Sequence, residues 1–206
     1  MTVTEPQVII IDDDENVRDA LVFLMKSVDQ SASAFSSAKE FIGQYSGDLP
    51  GCIVSDMRMP GMSGLELQQE LRRRESNTPI IFISGHGDIP MAVEAIKAGA
   101  EEFLTKPFRD QALLDAINGA ISRDQKQRSQ LGAQASIDRC IDSLTRRERQ
   151  VLDLVVAGKT NKAMADELCL SQRTIEVHRS HMMEKMGAHS LTELLKQVPA
   201  GTDSSS

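Results

Sequence analysis

The chain has 206 residues, 40% apolar and 26% charged, which is the composition of a globular protein with room for one large or two small domains. No apolar run approaches the ~18 residues of a membrane-spanning helix, and Met1 to Gln7 carries no basic stretch; neither a membrane segment nor a signal peptide is expected, and a cytoplasmic location is. The formal charge of −7 is unevenly spread: residues 1–122 hold 10 Lys/Arg against 19 Asp/Glu, and residues 123–206 hold 13 against 11, which predicts an acidic first domain and a second one that tolerates a polyanion.

Val8-Ile9-Ile10-Ile11 is a β-branched run that predicts a central strand, with Asp12-Asp13-Asp14 at its carboxyl end. From Glu15 to about Val28, apolar residues at Val17, Leu21, Leu24, Met25 and Val28 keep helical spacing, and Asp14 reads as a helix cap or a solvated acid rather than a ligand. Ser31 to Phe35 is a weak strand, and Ser37 with Glu40 a capping box that opens a short helix to Gln44. Cys52-Ile53-Val54 predicts a buried strand that reaches Asp56 and a Pro/Gly loop; Ser63 with Glu66 then opens a helix from Gly64 to about Arg74. Ile80 to Ile83 predicts a strand ending on Ser84, followed by the loop Gly85-His86-Gly87-Asp88, whose histidine reads as bland. A helix with Pro90 in its first turn ends near Ala98. Phe103-Leu104-Thr105 is the last strand, ending on Lys106-Pro107-Phe108, and Asp110 caps a helix to about Ile121. Five strands alternating with five helices predict an α/β domain with a parallel, doubly wound, flavodoxin-like sheet.

Asp12, Asp13, Asp56, Ser84 and Lys106 all fall at or just past strand carboxyl ends, where open α/β sheets form their ligand crevice. Clustered acids repel unless a cation or a proton intervenes. Carboxylates, a backbone carbonyl and waters suit Mg²⁺ (or Mn²⁺) and leave room for phosphate oxygens. The chemistry that needs this set is phosphorylation of an aspartate, with Asp56 as nucleophile and Lys106 and Ser84 stabilising the product. Residues 7–122 resemble the receiver domain of bacterial response regulators. The resemblance rests on Asp12-Asp13, on the loop Asp56-Met-Arg-Met-Pro-Gly-Met-Ser-Gly, on Ser84 and on Lys106-Pro107-Phe108. It implies that Asp56 is the phosphoacceptor and that Asp12, Asp13, Asp56 and the Arg58 carbonyl hold the metal. It also implies a cis bond before Pro107, and a switch made by Ser84 and the aromatic Phe103.

Residues 123–142 read as a linker rich in helix formers; apolar residues are few before Ile137, Cys140 and Ile141. A continuous helix of about 30 Å and a partly frayed spacer fit it equally. The second domain, 143–199, predicts four helices. Thr145 with Glu148 opens the first, which buries Val151, Leu152, Leu154, Val155 and Val156 and stops at Gly158. Asn161 to Leu168 is the second, with Met164, Ala165 and Leu168 inward. Ser171 caps the third, Gln172 to about Met186, and Ser190 with Glu193 opens the fourth. Residues 200–206, with Pro199, read as a disordered tail. The three cysteines, Cys52, Cys140 and Cys169, show no CxxC spacing and read as free thiols. His178 and His181 have no third ligand and do not read as a zinc site.

Two short helices joined by about four residues form a helix-turn-helix. Leu144-Thr-Arg-Arg-Glu-Arg-Gln-Val-Leu, Gly158-Lys-Thr-Asn-Lys-Ala-Met-Ala and Ser171-Gln-Arg-Thr-Ile-Glu-Val-His-Arg resemble the LuxR-type domain of NarL/FixJ response regulators. The resemblance implies that the third helix enters the major groove of double-stranded DNA. Glu176, Val177 and Ser180 would then face base edges, and Lys162, Arg173, Thr174, His178, Arg179 and Lys185 the phosphates. The fourth helix would serve dimers on DNA. With 3% aromatics and no Trp, the composition argues against a base-stacking platform for RNA or single strands.

Together these features predict a FixJ-type response regulator. A sensor histidine kinase phosphorylates Asp56; the surface around Ile89–Lys97 and Phe103–Phe108 is rebuilt, and a homodimer regulates transcription, as an activator working with RNA polymerase. The chain itself is not expected to be an enzyme beyond its own phosphorylation and dephosphorylation. Two rivals stand beside this reading. A Mg²⁺-dependent aspartyl-phosphate phosphatase or phosphotransferase would want a second acid two residues after the nucleophile, where Arg58 stands. A receiver-only interaction switch would make the second domain an ordinary helical bundle.

Overall fold

The computed structural model describes residues 5–45, 47, 49–85 and 89–198; the loop residues His86, Gly87 and Asp88 and the tail from Pro199 lie outside the described residues. Five strands, β1 (Gln7–Ile11), β2 (Ala32–Phe35), β3 (Gly51–Asp56), β4 (Ile80–Ser84) and β5 (Glu102–Thr105), form one parallel sheet in the order β2-β1-β3-β4-β5. The sequence order of strands reverses at β1 and β3, so their carboxyl ends flank the topological switch point.

Side chains alternate across each strand, and both faces of the sheet are covered. Ile9, Ile11, Ile53 and Phe82 pack with α2 (Ala38–Gln44), α3 (Gly64–Arg73) and α4 (Ile89–Lys97). Val8, Ile10, Cys52, Val54, Ile81 and Ile83 pack with α1 (Glu15–Ser27) and α5 (Asp110–Asp142). This two-sided burial is why β1, β3 and β4 read as continuous apolar runs. Helix starts follow the capping signals. Asp14 accepts from Asn16 N, and Ser63 and Glu66 close a reciprocal box. Asp110 is the first residue of its helix, where it was expected as the cap. Gly64 admits no side chain: a Cβ there would lie 2.8 Å from the Phe82 ring and 2.9 Å from the Asp56 carbonyl. That contact seats the start of α3 directly against the end of β3.

Helix α5 continues without a break to Asp142, so residues 123–142 take the helical alternative. Its first turns in that stretch belong to the α/β unit. Asp124, 2% exposed, accepts from Gly51 N at 2.9 Å and from Arg128 Nε at 2.8 Å, and Arg128 Nη2 donates to the Leu49 carbonyl at 2.7 Å. The chain divides into two compact units, Met1–Arg128 and Ser129–Ser206.

The second unit holds α6 (Arg146–Val156), α7 (Asn161–Leu168), α8 (Gln172–Lys185) and α9 (Leu191–Gln197). Val151, Leu152, Val155, Met164, Ala165, Ile175, Met182, Met186 and Leu194 form its core, with Leu154, Val156, Leu168 and Met183 half-buried around it. Cys169 ends α7 in the left-handed region at φ 54°, and Ser171 caps α8 by accepting from Thr174 N at 3.1 Å. All three cysteines are free thiols; burial pushes that of Cys52 up to about 12, which makes it inert. No helix among the described residues is long and apolar enough to cross a membrane.

Candidate functional site

At the switch point one ammonium bridges two buried carboxylates. Asp12, just past β1, is 1% exposed, and Asp56, the last residue of β3, is 7% exposed. Lys106, just past β5, donates to Asp12 Oδ2 and to Asp56 Oδ1, each at 2.8 Å. The two outer oxygens take backbone donors: Asp12 Oδ1 from Asp14 N at 2.9 Å and Asp56 Oδ2 from Arg58 N at 2.7 Å. Arg18 Nη1 fixes the turn after β1 by donating to the Asp12 carbonyl at 2.7 Å. Burial alone would lower the Lys106 pKa; hydrogen bonds from its ammonium to Asp12 and Asp56 and their charges outweigh it and hold the pKa above its ordinary value. Ser84, buried at the end of β4, stands one strand away, and Lys106 N donates to its carbonyl at 2.7 Å. The Lys106–Pro107 bond is cis. Phe103 is half-buried and packs on the core that holds Phe82.

The structure thus gathers Asp12, Asp56 and Lys106, with Ser84 on the next strand end. Asp13 is exposed, and among the described residues no three His, Cys, Asp or Glu side chains converge as a preformed metal site. The donor set still fits a hard cation. Its groups are oxygens, and two desolvated carboxylates side by side need positive charge between them, which Lys106 supplies here.

On α8, Arg173, Glu176, Val177 and Ser180 are exposed, as is Lys162 on α7; Thr174, His178 and Arg179 are half-buried. Arg179 Nη1 donates to Asn161 Oδ1 at 2.9 Å, tying the helix to the start of α7. Lys185, expected at the phosphates, is engaged elsewhere: its ammonium donates to Glu148 Oε2 at 2.7 Å and to the Ser143 carbonyl at 3.3 Å. Glu148, 4% exposed, also accepts from Thr145 N at 2.8 Å. The Lys185 hydrogen bond, with the Thr145 amide behind it, holds the Glu148 carboxyl down at about 2. Neither this pair nor the Asp124–Arg128 pair was visible in the sequence, because each joins residues on separate elements or reads as an ordinary helix-surface i, i+4 couple.

The chain matches the response regulator receiver domain over residues 8–118 and the bacterial regulatory proteins of the luxR family over residues 142–198. Nodulation protein W of Bradyrhizobium diazoefficiens is 45% identical over 193 residues, covering 94% of this chain and 85% of that protein. Transcriptional regulatory protein FixJ of Azorhizobium caulinodans is 44% identical over 189 residues, covering 92% of this chain and 90% of that protein. The structure of response regulator StyR superposes with a TM-score of 0.88 at 43% identity, covering 94% of this chain and 98% of that one. The chain therefore belongs to the bacterial response regulators, as a receiver domain followed by a LuxR-type DNA-binding domain, and is a transcriptional regulator and not an enzyme.

Proposed function

We propose that Asp56 is the phosphoacceptor and that its phosphorylation by a sensor histidine kinase controls binding of the second domain to duplex DNA. The observation that carries this is the Lys106 ammonium shared between Asp12 and Asp56 at the sheet's switch point. An Asp56 carboxylate oxygen attacks the phosphorus of the kinase's phosphohistidine. The P–N bond breaks, and its electron pair returns to the imidazole. Asp12, Asp13, Asp56 and the Arg58 carbonyl would hold Mg²⁺ or Mn²⁺, which when bound neutralises phosphoryl oxygens. Lys106 follows the new anion and keeps a charge-assisted hydrogen bond to it, and the Ser84 hydroxyl turns to donate to it while Phe103 moves inward. An apolar groove of about 630 Å³ borders Lys106, lined by Val17, Ala20, Leu24, Pro107 and Phe108 with exposed Phe23 at its rim; it is where the kinase would seat.

Output runs through helix faces that are apolar yet exposed. Ile89, Val93 and Ile96 share one side of α4, and Leu191 and Leu195 one side of α9. The first supports a homodimer of phosphorylated receivers, the second a dimer on DNA. We place the receiver at 1–122, with the first turns of the connecting segment 123–142 latched onto it through Asp124 and Arg128, and the DNA-binding domain at 143–199, working in the cytoplasm as an activator that contacts RNA polymerase. Intact mass and native molecular weight, with and without acetyl phosphate and Mg²⁺, test the assignment. Wild type gains one phosphoryl group and shifts toward dimer, and Asp56→Ala does neither. Equal phosphorylation of Asp56→Ala would end the proposal.

A further inference from the structure

Three polar side chains of α8 are held within the domain. Thr174 is bonded to Ser171, Arg179 to Asn161, and Lys185 to Glu148. Arg173, Glu176, Val177 and Ser180 recur at i, i+3, i+4 and i+7, so they share one side of the helix. All four are exposed, and among the described residues the side chains of Arg173, Glu176 and Ser180 make no hydrogen bond or ion pair. Val177, 47% exposed, is an apolar side chain with no core to join.

A carboxylate on this face is an unexpected choice. If the face meets DNA, Glu176 approaches a polyanion without a counter-cation of its own, and leaving it there unpaired is costly. It needs a donor on the nucleic acid, and donors in the major groove are the amino groups of cytosine and adenine. The adenine amino group lies beside the N7 acceptor, which repels a carboxylate; the cytosine N4 amino group has no such neighbour on its own base. One position along, a branched apolar side chain matches the one apolar group on the groove floor, the thymine methyl.

We propose that Glu176 and Val177 are the specificity pair of the domain, Glu176 selecting a cytosine and Val177 a nearby thymine in each operator half-site. The proposal rests on α8 being the major-groove helix and adds which bases it selects. Lys162 and Arg173 remain exposed for phosphates and carry no such preference.

The test is selection from random-sequence duplexes with the full chain, treated with acetyl phosphate and Mg²⁺, as wild type, Glu176→Gln and Val177→Ala. Wild type enriches a motif containing one cytosine and a neighbouring thymine. Glu176→Gln loses about tenfold discrimination for that cytosine and moves the same position toward adenine, whose N6 and N7 a carboxamide can pair, while the other positions stay. Val177→Ala relaxes only the thymine. A Glu176→Gln motif identical to wild type at every position overturns the proposal, and so does loss of the whole motif by a variant that melts like wild type. If wild type enriches no motif, the reading of α8 as a DNA helix fails, and this assignment fails with it.

Discussion

Lys106 shows how single residues carry the site. Among the described residues, its ammonium is the only side-chain donor to Asp12 and Asp56, both buried. Replacing it by methionine leaves two desolvated carboxylates facing one another. Lys106→Met should therefore lose about 1–3 kcal/mol in urea unfolding at neutral pH, and added Mg²⁺ should restore part of that loss by supplying the missing charge. A variant as stable as wild type and indifferent to Mg²⁺ would contradict this account of the pair. Glu148 makes the corresponding prediction for the second unit. Its carboxyl sits at about 2 in the folded chain against 4.5 in its absence. A depressed pKa adds stability that is complete above 4.5 and disappears as pH falls through about 2. Glu148→Gln should cost about 1.5–3 kcal/mol at neutral pH and flatten the acid limb of the unfolding curve; an unchanged limb would assign the acid sensitivity elsewhere. Asp12, Asp56 and Lys106 were legible in the sequence because strand ends announce themselves. Lys185 was not: on a polar helix a lysine bound to a buried partner looks the same as one waiting for a phosphate.

At the scale of elements, four Ser/Thr-x-x-Glu signatures each start a helix, and in each the hydroxyl accepts from the expected amide. Only the boxes at Ser63 and Thr145 close reciprocally. Glu40 bonds the amide of Ser36 and Glu193 that of His189, one residue upstream of the cap. The four-residue spacing selects the helix start, and the path of the preceding chain decides which amide the glutamate reaches. The apolar period that reveals α1 and α3 fades after Ile121, so periodicity could not choose between a helix and a frayed spacer for 123–142. The latch at the start of this stretch gives a physical reason for its first turns, to Arg128. Asp124 ties α5 to the first residue of β3, where Gly51 sits at φ 124° and a Cβ would collide with the Gln7 carbonyl. Asp124→Ala leaves the Gly51 amide unpaired in the interior and should lower receiver stability by about 1–3 kcal/mol in urea, with faster amide exchange at Gly51. Native exchange there would show that the latch contributes nothing.

For the whole molecule, the fold of each unit was readable from strand and helix signals, and the acidic first part and mildly basic second part of the chain correspond to the receiver domain and the LuxR-type DNA-binding domain. What sequence could not supply is which apolar residues stay outside the cores. Ile89, Val93 and Ile96 carry an ordinary amphipathic pattern, and only the fold shows them exposed. Their joint replacement by serine should leave phosphorylation of Asp56 intact while abolishing the dimer in native mass measurement; a dimer that persists would move the interface off α4. The most direct test of phosphorylation control is the affinity of the full chain for its selected duplex, measured for wild type and Asp56→Ala with and without acetyl phosphate and Mg²⁺. The account predicts a rise of about 5- to 150-fold on phosphorylation of wild type and no change in Asp56→Ala. An equal rise in both proteins, or no rise in wild type that carries the phosphoryl group, would contradict it.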